Sequence, residues 1–448
     1  MNYNSSFLSR RAFLRNLTAG AALTVLPAHV LGRAAPPPSG KLHIACIGAA
    51  GRGGTNLQGV RSENIVALCD VDQNRAGEAS RKFPRAQLFT DFRRMFDKIH
   101  RSLDAVVVST PDHTHAVAVM AALHLGKHVY CEKPLAHNLF EARQITLAAR
   151  KYRVATQLGN QGHSYDHIRL FCEWIWDGAI GPVREVHAAC SSAYVPRSYR
   201  TRPPDTPPVP DTLDWDLWLG PAPYRPYHPT YHPGIWRRWV PFGTGVIGDW
   251  TCHVIDPVFW ALDLGSPVSV LAHAREYDDP AVRAETYPPG SIIEYRFPAR
   301  GKRPPVKVTW YDGACKLPRP TDLESDRQVP GIGAIVIGDQ GKIMYGSHGA
   351  SGCRLFPEEK MKAYKRPPQS IPRSKGHYRD WINACKGGPA AGSNFDYGGP
   401  LAEVALLGCL ALRFNGQKLN WDGPSLRVTN LPSANEFIHP PYRKGWYL

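Results

Sequence analysis

The stretch Lys41-Leu-His-Ile-Ala-Cys-Ile-Gly-Ala-Ala-Gly-Arg-Gly-Gly54 decides the fold, because an apolar run passes directly into a glycine-rich turn. The apolar part predicts a buried strand over 41–47, and the glycines that follow exclude the interior of a strand or helix. A helix can open at 55–60, and a second apolar run, 64–70, ends on the carboxylate of Asp70. This order is typical of a dinucleotide-binding β-α-β unit.

The glycine turn departs from the usual fingerprint at one position, where Ala50 stands in place of the second glycine. Glycines let the backbone approach a pyrophosphate, the helix N-terminus offers it N–H groups, and the acid binds ribose hydroxyls. Asp70 favours NAD over NADP, because a carboxylate repels a 2′-phosphate, and Arg75 is the one opposing signal nearby. We therefore predict an NAD site whose contacts include Gly48, Ala50, Gly51, Arg52, Gly53 and Asp70.

Composition limits the alternatives. The 448 residues are 43% apolar, which is enough for two domains or more. The net charge is +16, but Lys and Arg are scattered without a dense run, so we predict no nucleic-acid partner. The ten cysteines include no C-x-x-C pair, so neither a metal site nor a disulfide framework is predicted.

The N-terminus has the pattern of an export signal. Ser9-Arg-Arg-Ala-Phe-Leu14 is a twin-arginine sequence, followed by an apolar stretch at 17–31 too short to span a bilayer. We expect a signal over 1–35 and a periplasmic protein with no later membrane span, although a disordered basic tail is the alternative. Since this route carries folded proteins, a cofactor loaded in the cytoplasm would stay bound.

The alternation of helical and strand patterns continues from 72 to 160. Strands that alternate with helices predict a mainly parallel sheet with helices on both faces. Ligands bind beyond the carboxyl ends of such strands, where this chain places polar loops at 110–113, 131–134 and 159–163. In Glu132-Lys133-Pro134 the proline fixes the turn, so we predict that Lys133 faces the crevice and binds or protonates a substrate oxygen.

These motifs resemble the glucose-fructose oxidoreductase, inositol dehydrogenase and MocA family (Gfo/Idh/MocA). The resemblance rests on the glycine turn, Thr110-Pro111 with His115, and Glu132-Lys133-Pro134, and it covers essentially all of the chain after the signal. It implies a Rossmann domain over 36–160 and an α/β domain with an open, mostly antiparallel sheet over 161–448. That sheet often carries an oligomer contact, so a homo-oligomer is expected.

The resemblance also implies site residues. Lys133 would be catalytic, and the family's Asp-x-x-x-His pair matches Asp249 and His253. On a helix these two residues share one face with Asp256, so the carboxylate of Asp249 could orient His253 as a general base. Without the family match, a structural hydrogen-bonded pair would be the simpler interpretation. The cofactor side would further include Thr110, Pro111, His115, Glu132 and Lys133.

A long irregular segment, 194–242, is crowded with Pro, Trp, Tyr and His. Aromatic faces with interleaved polar groups suit a sugar, although the segment could equally wrap the core or a neighbouring subunit. Predicted substrate contacts here and at the strand ends are Asn160, His163, Tyr194, Trp236, Trp250 and Asp256. Later strands are predicted at 268–273, 291–297, 306–311, 334–337 and 341–345, and helices at 377–386 and 401–414.

Three functions remain open. The first is an NAD-dependent oxidoreductase on a sugar or cyclitol, whose trapped cofactor is recycled by a second sugar or by the product. The second is a redox-neutral glycosidase or lyase acting through a 3-keto intermediate; related enzymes place a Tyr where this chain has Trp250. The third is a sugar-binding protein with a vestigial Rossmann domain, which the intact Lys133, Asp249 and His253 disfavour.

Overall fold

A parallel sheet of six strands organises the first part of the chain. The computed structural model describes residues 40–194, 199–233 and 235–448, so the predicted signal over 1–35 lies outside the described residues. The spatial order of the strands is β3-β2-β1-β4-β5-β6, with every pair parallel. The strands are β1 His43–Ile47, β2 Asn64–Cys69, β3 Gln87–Phe89, β4 Ala105–Val108, β5 His128–Cys131 and β6 Thr156–Leu158.

Helices connect these strands, and several begin at a polar side chain that accepts a backbone N–H. Asp72, Asp91 and Asn138 each cap the helix that follows, and Asn138 does so in a capping box with Glu141. The helices are α1 Arg52–Gly59, α2 Gln73–Lys82, α3 Phe92–Ile99, α4 Asp112–His124 and α5 Leu139–Tyr152. This half confirms the predicted alternation of strand and helix.

A second, nine-stranded sheet follows, in the order β13-β12-β11-β7-β10-β9-β8-β14-β15. Only β7 and β10 pair in parallel, so the sheet is mixed and mostly antiparallel. Its strands are β7 Val183–Cys190, β8 Ser269–Ala274, β9 Gly290–Phe297, β10 Val306–Gly313, β11 Ile332–Gly338, β12 Lys342–Gly346, β13 Ser351–Phe356, β14 Lys418–Asp422 and β15 Arg427–Val428. The predicted fold class is confirmed, although β13, β14 and β15 were not predicted.

The remaining helices lie around this sheet. They are α6 Asp166–Trp176, α7 Trp215–Leu219, α8 Gly245–Val254, α9 Asp256–Ala261, α10 Pro280–Glu285, α11 Glu358–Ala363, α12 His377–Cys385 and α13 Phe395–Arg413. The irregular segment has an apolar cluster of its own, which includes Trp215, Trp218 and Phe242. It is pinned to the first half, because Gln73 N–H donates to the carbonyl of Thr212 at 2.8 Å.

The apolar helix α13 joins the two halves of the fold. It packs against α5 and also against α8. Against the expectation for later stretches, α13 is long and apolar enough to cross a membrane by length and composition alone. However, 78% of its most apolar window is buried inside the fold, as in the core helix of a globular protein.

Candidate active site

The glycine-rich loop after β1 is shaped for a ligand that approaches its backbone. Gly48 and Gly51 have φ angles of +83° and +56°. A Cβ on Gly48 would lie 2.6 Å from the carbonyl oxygen of Ser109, and one on Gly53 would lie 2.0 Å from the carbonyl oxygen of Gly48. No side chain in the described residues caps the start of α1, so its N–H groups are open to a pyrophosphate.

Asp70 is held beside this loop by two backbone groups. Its Oδ2 accepts a hydrogen bond from Ala49 N–H at 2.9 Å, and its Oδ1 accepts one from Asp72 N–H at 3.1 Å. Burial raises the pKa of the Asp70 carboxyl. Each oxygen retains a lone pair that ribose hydroxyls can use, so the loop and the acid together fit NAD. Arg75 lies nearby, with its Nη2 3.2 Å from the position of a Cβ on Gly51.

His115 joins two of the polar loops at the strand ends. Its Nδ1 lies 2.8 Å from the carbonyl oxygen of Pro134, and its Nε2 lies 2.8 Å from that of Thr110. Thr110, Pro111 and His115 all line the cavity described below. The hydroxyl of Thr110 is buried and has no hydrogen-bond partner among the described residues, which leaves it for a ligand.

Glu132 connects helix α1 to the loop after β5 through hydrogen bonds. Its Oε1 accepts hydrogen bonds from Arg52 Nε at 3.0 Å, Asn56 Nδ2 at 3.0 Å and Gln161 Nε2 at 3.3 Å. Glu132 therefore positions Arg52 and its own neighbour, Lys133.

Lys133 forms an ion pair with Asp249, which lies 116 residues later on α8. Its Nζ donates to Oδ1 and to the backbone carbonyl of Asp249, the latter at 3.1 Å. The same carboxylate accepts from Tyr194 OH and from Arg237 Nε, the latter at 3.3 Å. Burial by itself would raise the pKa of Asp249, but the Lys133 and Arg237 cations lower it below its ordinary value. Asp249 thus stays ionised and positions Lys133.

His253 lies one turn after Asp249 but does not bond to it. Its ring stacks on that of His348, with centroids 4.4 Å apart and planes at 28°. The Nδ1 of His253 is buried without a partner in the described part of the chain. Burial, with help from Lys133 and His348, holds the pKa of His253 well below its usual range, so the imidazole is neutral. The expectation that Asp249 orients His253 is corrected: the carboxylate serves Lys133 instead.

One cavity of about 390 Å³ connects these groups. It runs from the glycine loop and Asp70 to the side chains of Lys133, Asp249 and His253. Trp236 and Trp250 line it as well, while Tyr194 stands behind the wall and accepts a hydrogen bond from Trp250 Nε1 at 3.3 Å. One end of the cavity is therefore suited to a dinucleotide. The other end is lined by aromatic rings, a carboxylate, a lysine and a neutral imidazole.

Besides Tyr194, three other predicted substrate contacts do not line the cavity. Asp256 accepts hydrogen bonds from His163 Nδ1 at 3.0 Å, Asn160 Nδ2 at 3.2 Å and Tyr397 OH at 2.5 Å. Asn160, His163 and Asp256 are almost fully buried, and none lines the cavity. The prediction is corrected for a structural reason. Asp256 begins a new helix, α9, and its carboxylate forms hydrogen bonds with these buried polar side chains outside the cavity.

Two sequence profiles match the chain, in the order of its two sheets. The profile of an oxidoreductase family with an NAD-binding Rossmann fold matches residues 42–160. The profile of the same family's C-terminal α/β domain matches residues 200–288. Over these two segments the chain belongs to the Gfo/Idh/MocA family. Its first half is accordingly an NAD-binding Rossmann domain.

Individual relatives match about a third of the chain. Inositol 2-dehydrogenase from Rubrobacter xylanophilus is 35% identical over 151 residues, which is 32% of this chain and 42% of that protein. A glycosyl hydrolase family 109 protein from Solibacter usitatus is 30% identical over 178 residues, 36% of this chain and 40% of that protein. The matches thus span less than half the length of these relatives.

Solved structures share the fold over most of the chain. The WlbA dehydrogenase of Bordetella pertussis, in complex with NADH and UDP-GlcNAcA, has a TM-score of 0.61 at 16% identity, covering 86% of this chain and 99% of that one. An inositol dehydrogenase homologue from Azotobacter vinelandii, complexed with NADH and myo-inositol, has a TM-score of 0.56 at 15% identity, covering 86% and 98%. At such identities the likeness concerns the fold alone.

The sequence of this Gfo/Idh/MocA protein did not reveal every residue of the cavity. His348 was missed because it follows β12 in a turn without a catalytic pattern. It has φ of +54°, and Ser347 Oγ lies 2.9 Å from its Nδ1. Arg237 was also missed; its guanidinium lies 4.2 Å from the ring centroid of Trp236. Other lining residues that were not predicted individually include Asp112, Leu217, Trp218, His232, Pro233 and Trp446.

Proposed function

We propose that this protein is an NAD-dependent oxidoreductase that oxidises a CH–OH group of a sugar or cyclitol. One observation supports it above the others: Lys133, Asp249 and His253 line a cavity that is continuous with the glycine loop and Asp70. A lysine and a neutral imidazole beside a dinucleotide cradle can bind the oxygen and accept the proton of an alcohol that is oxidised there. Inositol 2-dehydrogenase among the relatives is consistent with this substrate class.

The glycine loop and Asp70 would hold NAD, which would supply the hydride acceptor for the carbon that carries the hydroxyl group. The hydroxyl proton goes to the imidazole of His253, which is neutral because burial and the nearby Lys133 hold its pKa below the usual range. Lys133 donates a hydrogen bond to the substrate oxygen, which becomes a carbonyl oxygen. Asp249 holds the Lys133 amine in place through the ion pair. Trp236 and Trp250 offer flat apolar faces to the C–H groups of a ring.

The same proposal includes export with the cofactor in place. The twin-arginine sequence at 9–14 supports it, because that route carries folded proteins and the periplasm offers no NAD pool. The bound nicotinamide would then be reoxidised in place by a second carbonyl compound. Cell fractionation of the wild type and of an Arg10→Lys, Arg11→Lys variant tests export, and retention of the variant in the cytoplasm is the expected result.

A redox-neutral glycosidase is the second candidate, favoured by one contact. Trp250 stands where related glycosidases have a tyrosine, but the phenol of Tyr194 accepts a hydrogen bond from Trp250 Nε1 and donates one to Asp249. A phenol is therefore present next to the Lys133 ion pair. Such an enzyme would cleave aryl glycosides and exchange the hydrogen at C2 with deuterium oxide. No exchange and no aglycone release would eliminate it.

The decisive experiment begins with mass spectrometry for NAD(H) that copurifies with the protein. Polyols, sugars and cyclitols are then added with a carbonyl acceptor, and the nicotinamide absorbance is followed. Lys133→Met and His253→Phe should abolish the oxidation of whichever compound is active. A His187→Gln variant is the control, since His187 lies on β7 and contacts Tyr311 and Glu185 outside the cavity. A wild type that binds sugars but never reduces NAD would favour a binding protein.

A further inference from the structure

The wall of the cavity includes a residue from the far C-terminus. Trp446 lies two positions before Leu448, the last residue of the sequence, yet it lines the same cavity as Asp70 and the glycine loop. It belongs to neither of the two segments that match the family, 42–160 and 200–288. We call residues 439–448 the C-terminal strap.

The C-terminal strap is fastened at two points before it reaches the cavity. Tyr442 OH donates to Glu141 Oε1 on α5 at 2.6 Å. Arg443 donates from its backbone N–H to the carbonyl of Pro221 at 3.0 Å, and from Nε to that of Gly220 at 3.1 Å. Its Nη2 also donates to the carbonyl of Asp216 at 2.7 Å. The course of the strap is therefore set by specific bonds to both halves of the fold.

Beyond these bonds, Trp446 packs on the residues that follow β3. The guanidinium of Arg93 lies 4.4 Å from its ring centroid, and the Phe92 ring is 6.1 Å away. Arg93 is itself paired with Asp91 at 2.8 Å. Phe92 and Asp91 also line the cavity, so this cluster is part of its wall. The indole is thus held from one side by a cation and from another by a ring.

The sheet order tells which end of the dinucleotide this wall faces. β3 and β2 are adjacent, and Asp70 N–H donates to the carbonyl of Phe89 at 3.0 Å. Lys133 follows β5, on the opposite side of β1. Since the acid after β2 binds the adenosine ribose, Trp446 lies at the adenosine end and Lys133 at the nicotinamide end.

We propose that the C-terminal strap completes the adenine subsite and that Trp446 is its outer aromatic wall, which slows release of the dinucleotide. The inference rests on the proposed NAD-dependent function and adds a binding residue to it. A base packed against an aromatic ring gains enough to change affinity by about tenfold or more. Slower release of this kind would help to retain NAD during export.

The test uses the full chain and three variants: Trp446→Ala, Trp446→Phe and Tyr447→Ala. Tyr447 is the matched control, because it is the next residue, is 82% exposed and does not line the cavity. Calorimetry measures the affinity for NAD, for ADP-ribose and for nicotinamide mononucleotide, which lacks the adenosine. Mass spectrometry measures the NAD left after extensive dialysis. Thermal melts without nucleotide show whether each variant is folded.

We expect Trp446→Ala to bind NAD and ADP-ribose about tenfold or more weakly, to lose NAD on dialysis and to bind nicotinamide mononucleotide as the wild type does. Trp446→Phe should restore most of the affinity, and Tyr447→Ala should resemble the wild type. Equal NAD affinity in all variants, or equal losses in Trp446→Ala and Tyr447→Ala, would overturn the inference and leave the proposed function intact. A wild type that binds neither NAD nor ADP-ribose would overturn the proposed function itself.

Discussion

Replacing Asp249 by asparagine should impair catalysis without emptying the cofactor site. The change keeps the size of the side chain and removes the charge that pairs with Lys133. Both partners are only about a tenth exposed, 12% for Lys133 and 11% for Asp249, and Arg237 shares the same oxygen. In Asp249→Asn two cations therefore lie side by side without a counter-charge.

The size of the effect follows from this burial. Removing one partner of a buried ion pair costs about 3–5 kcal/mol. Lys133 can turn towards water in the cavity, so we take the lower end of this range. We expect the activation free energy of the reaction to rise by about 3 kcal/mol because the Lys133 amine is no longer held in position. At about 1.4 kcal/mol per factor of ten, kcat/KM should fall by about 100-fold, mainly through kcat.

The assay is steady-state oxidation of the substrate found in the screen, followed by nicotinamide absorbance. Asp339→Asn is the control, since it also removes an ion pair, that with Arg184, but an exposed one just after the end of β11. It should retain activity within about twofold, as surface pairs contribute little. The reasoning is refuted if Asp249→Asn keeps kcat within about threefold of the wild type, because the carboxylate would then not position Lys133.

Three further outcomes are expected. Gly53→Ala should weaken NAD binding by about tenfold or more in a fluorescence titration, because its Cβ would lie 2.0 Å from a carbonyl oxygen of the loop. The control Gly54→Ala should bind NAD normally, because the atom nearest to its Cβ is 3.7 Å away. His348→Phe keeps the stacked ring but removes a group that lowers the pKa of His253, so the acid limb of the kcat profile should move to higher pH; an unchanged limb would contradict this. Burial lowers the pKa of His113 to about 3 and that of His137 to about 4, while the unfolded chain takes up these protons below about pH 6.5. The free energy of unfolding should therefore fall by about 1.4 kcal/mol per pH unit for each histidine as the pH drops from 6.5 towards 4, and urea titrations that gave the same midpoint at about pH 7 and pH 5 would disprove it.

The Rossmann half could be predicted from the sequence because its signals are local. An apolar run, glycines and Asp70 in order define β1, the loop and β2 without knowledge of any distant contact. Some strands of the second half were missed because apolar and polar residues do not alternate clearly along them. An example is β13, which contains Gly352 and Arg354.

The site could be predicted only in part, for a related reason. Lys133, Asp249 and His253 were found by motif, but sequence spacing suggested that Asp249 serves the histidine four residues on. The structure instead brings in Lys133, 116 residues away, a long-range contact that helical spacing cannot reveal. His348 reaches the cavity through a left-handed turn, and a backbone conformation of that kind in a non-glycine residue leaves no reliable trace in sequence.

The helix α13 gives the reaction chamber a common frame. It packs against α5, which begins six residues after Lys133. It also packs against α8, which carries Asp249 and His253. The relative position of His253 and Lys133 therefore depends on the packing of one buried apolar helix, α13. Substitutions in the buried face of α13 are therefore expected to disturb the relative positions of Lys133, Asp249 and His253.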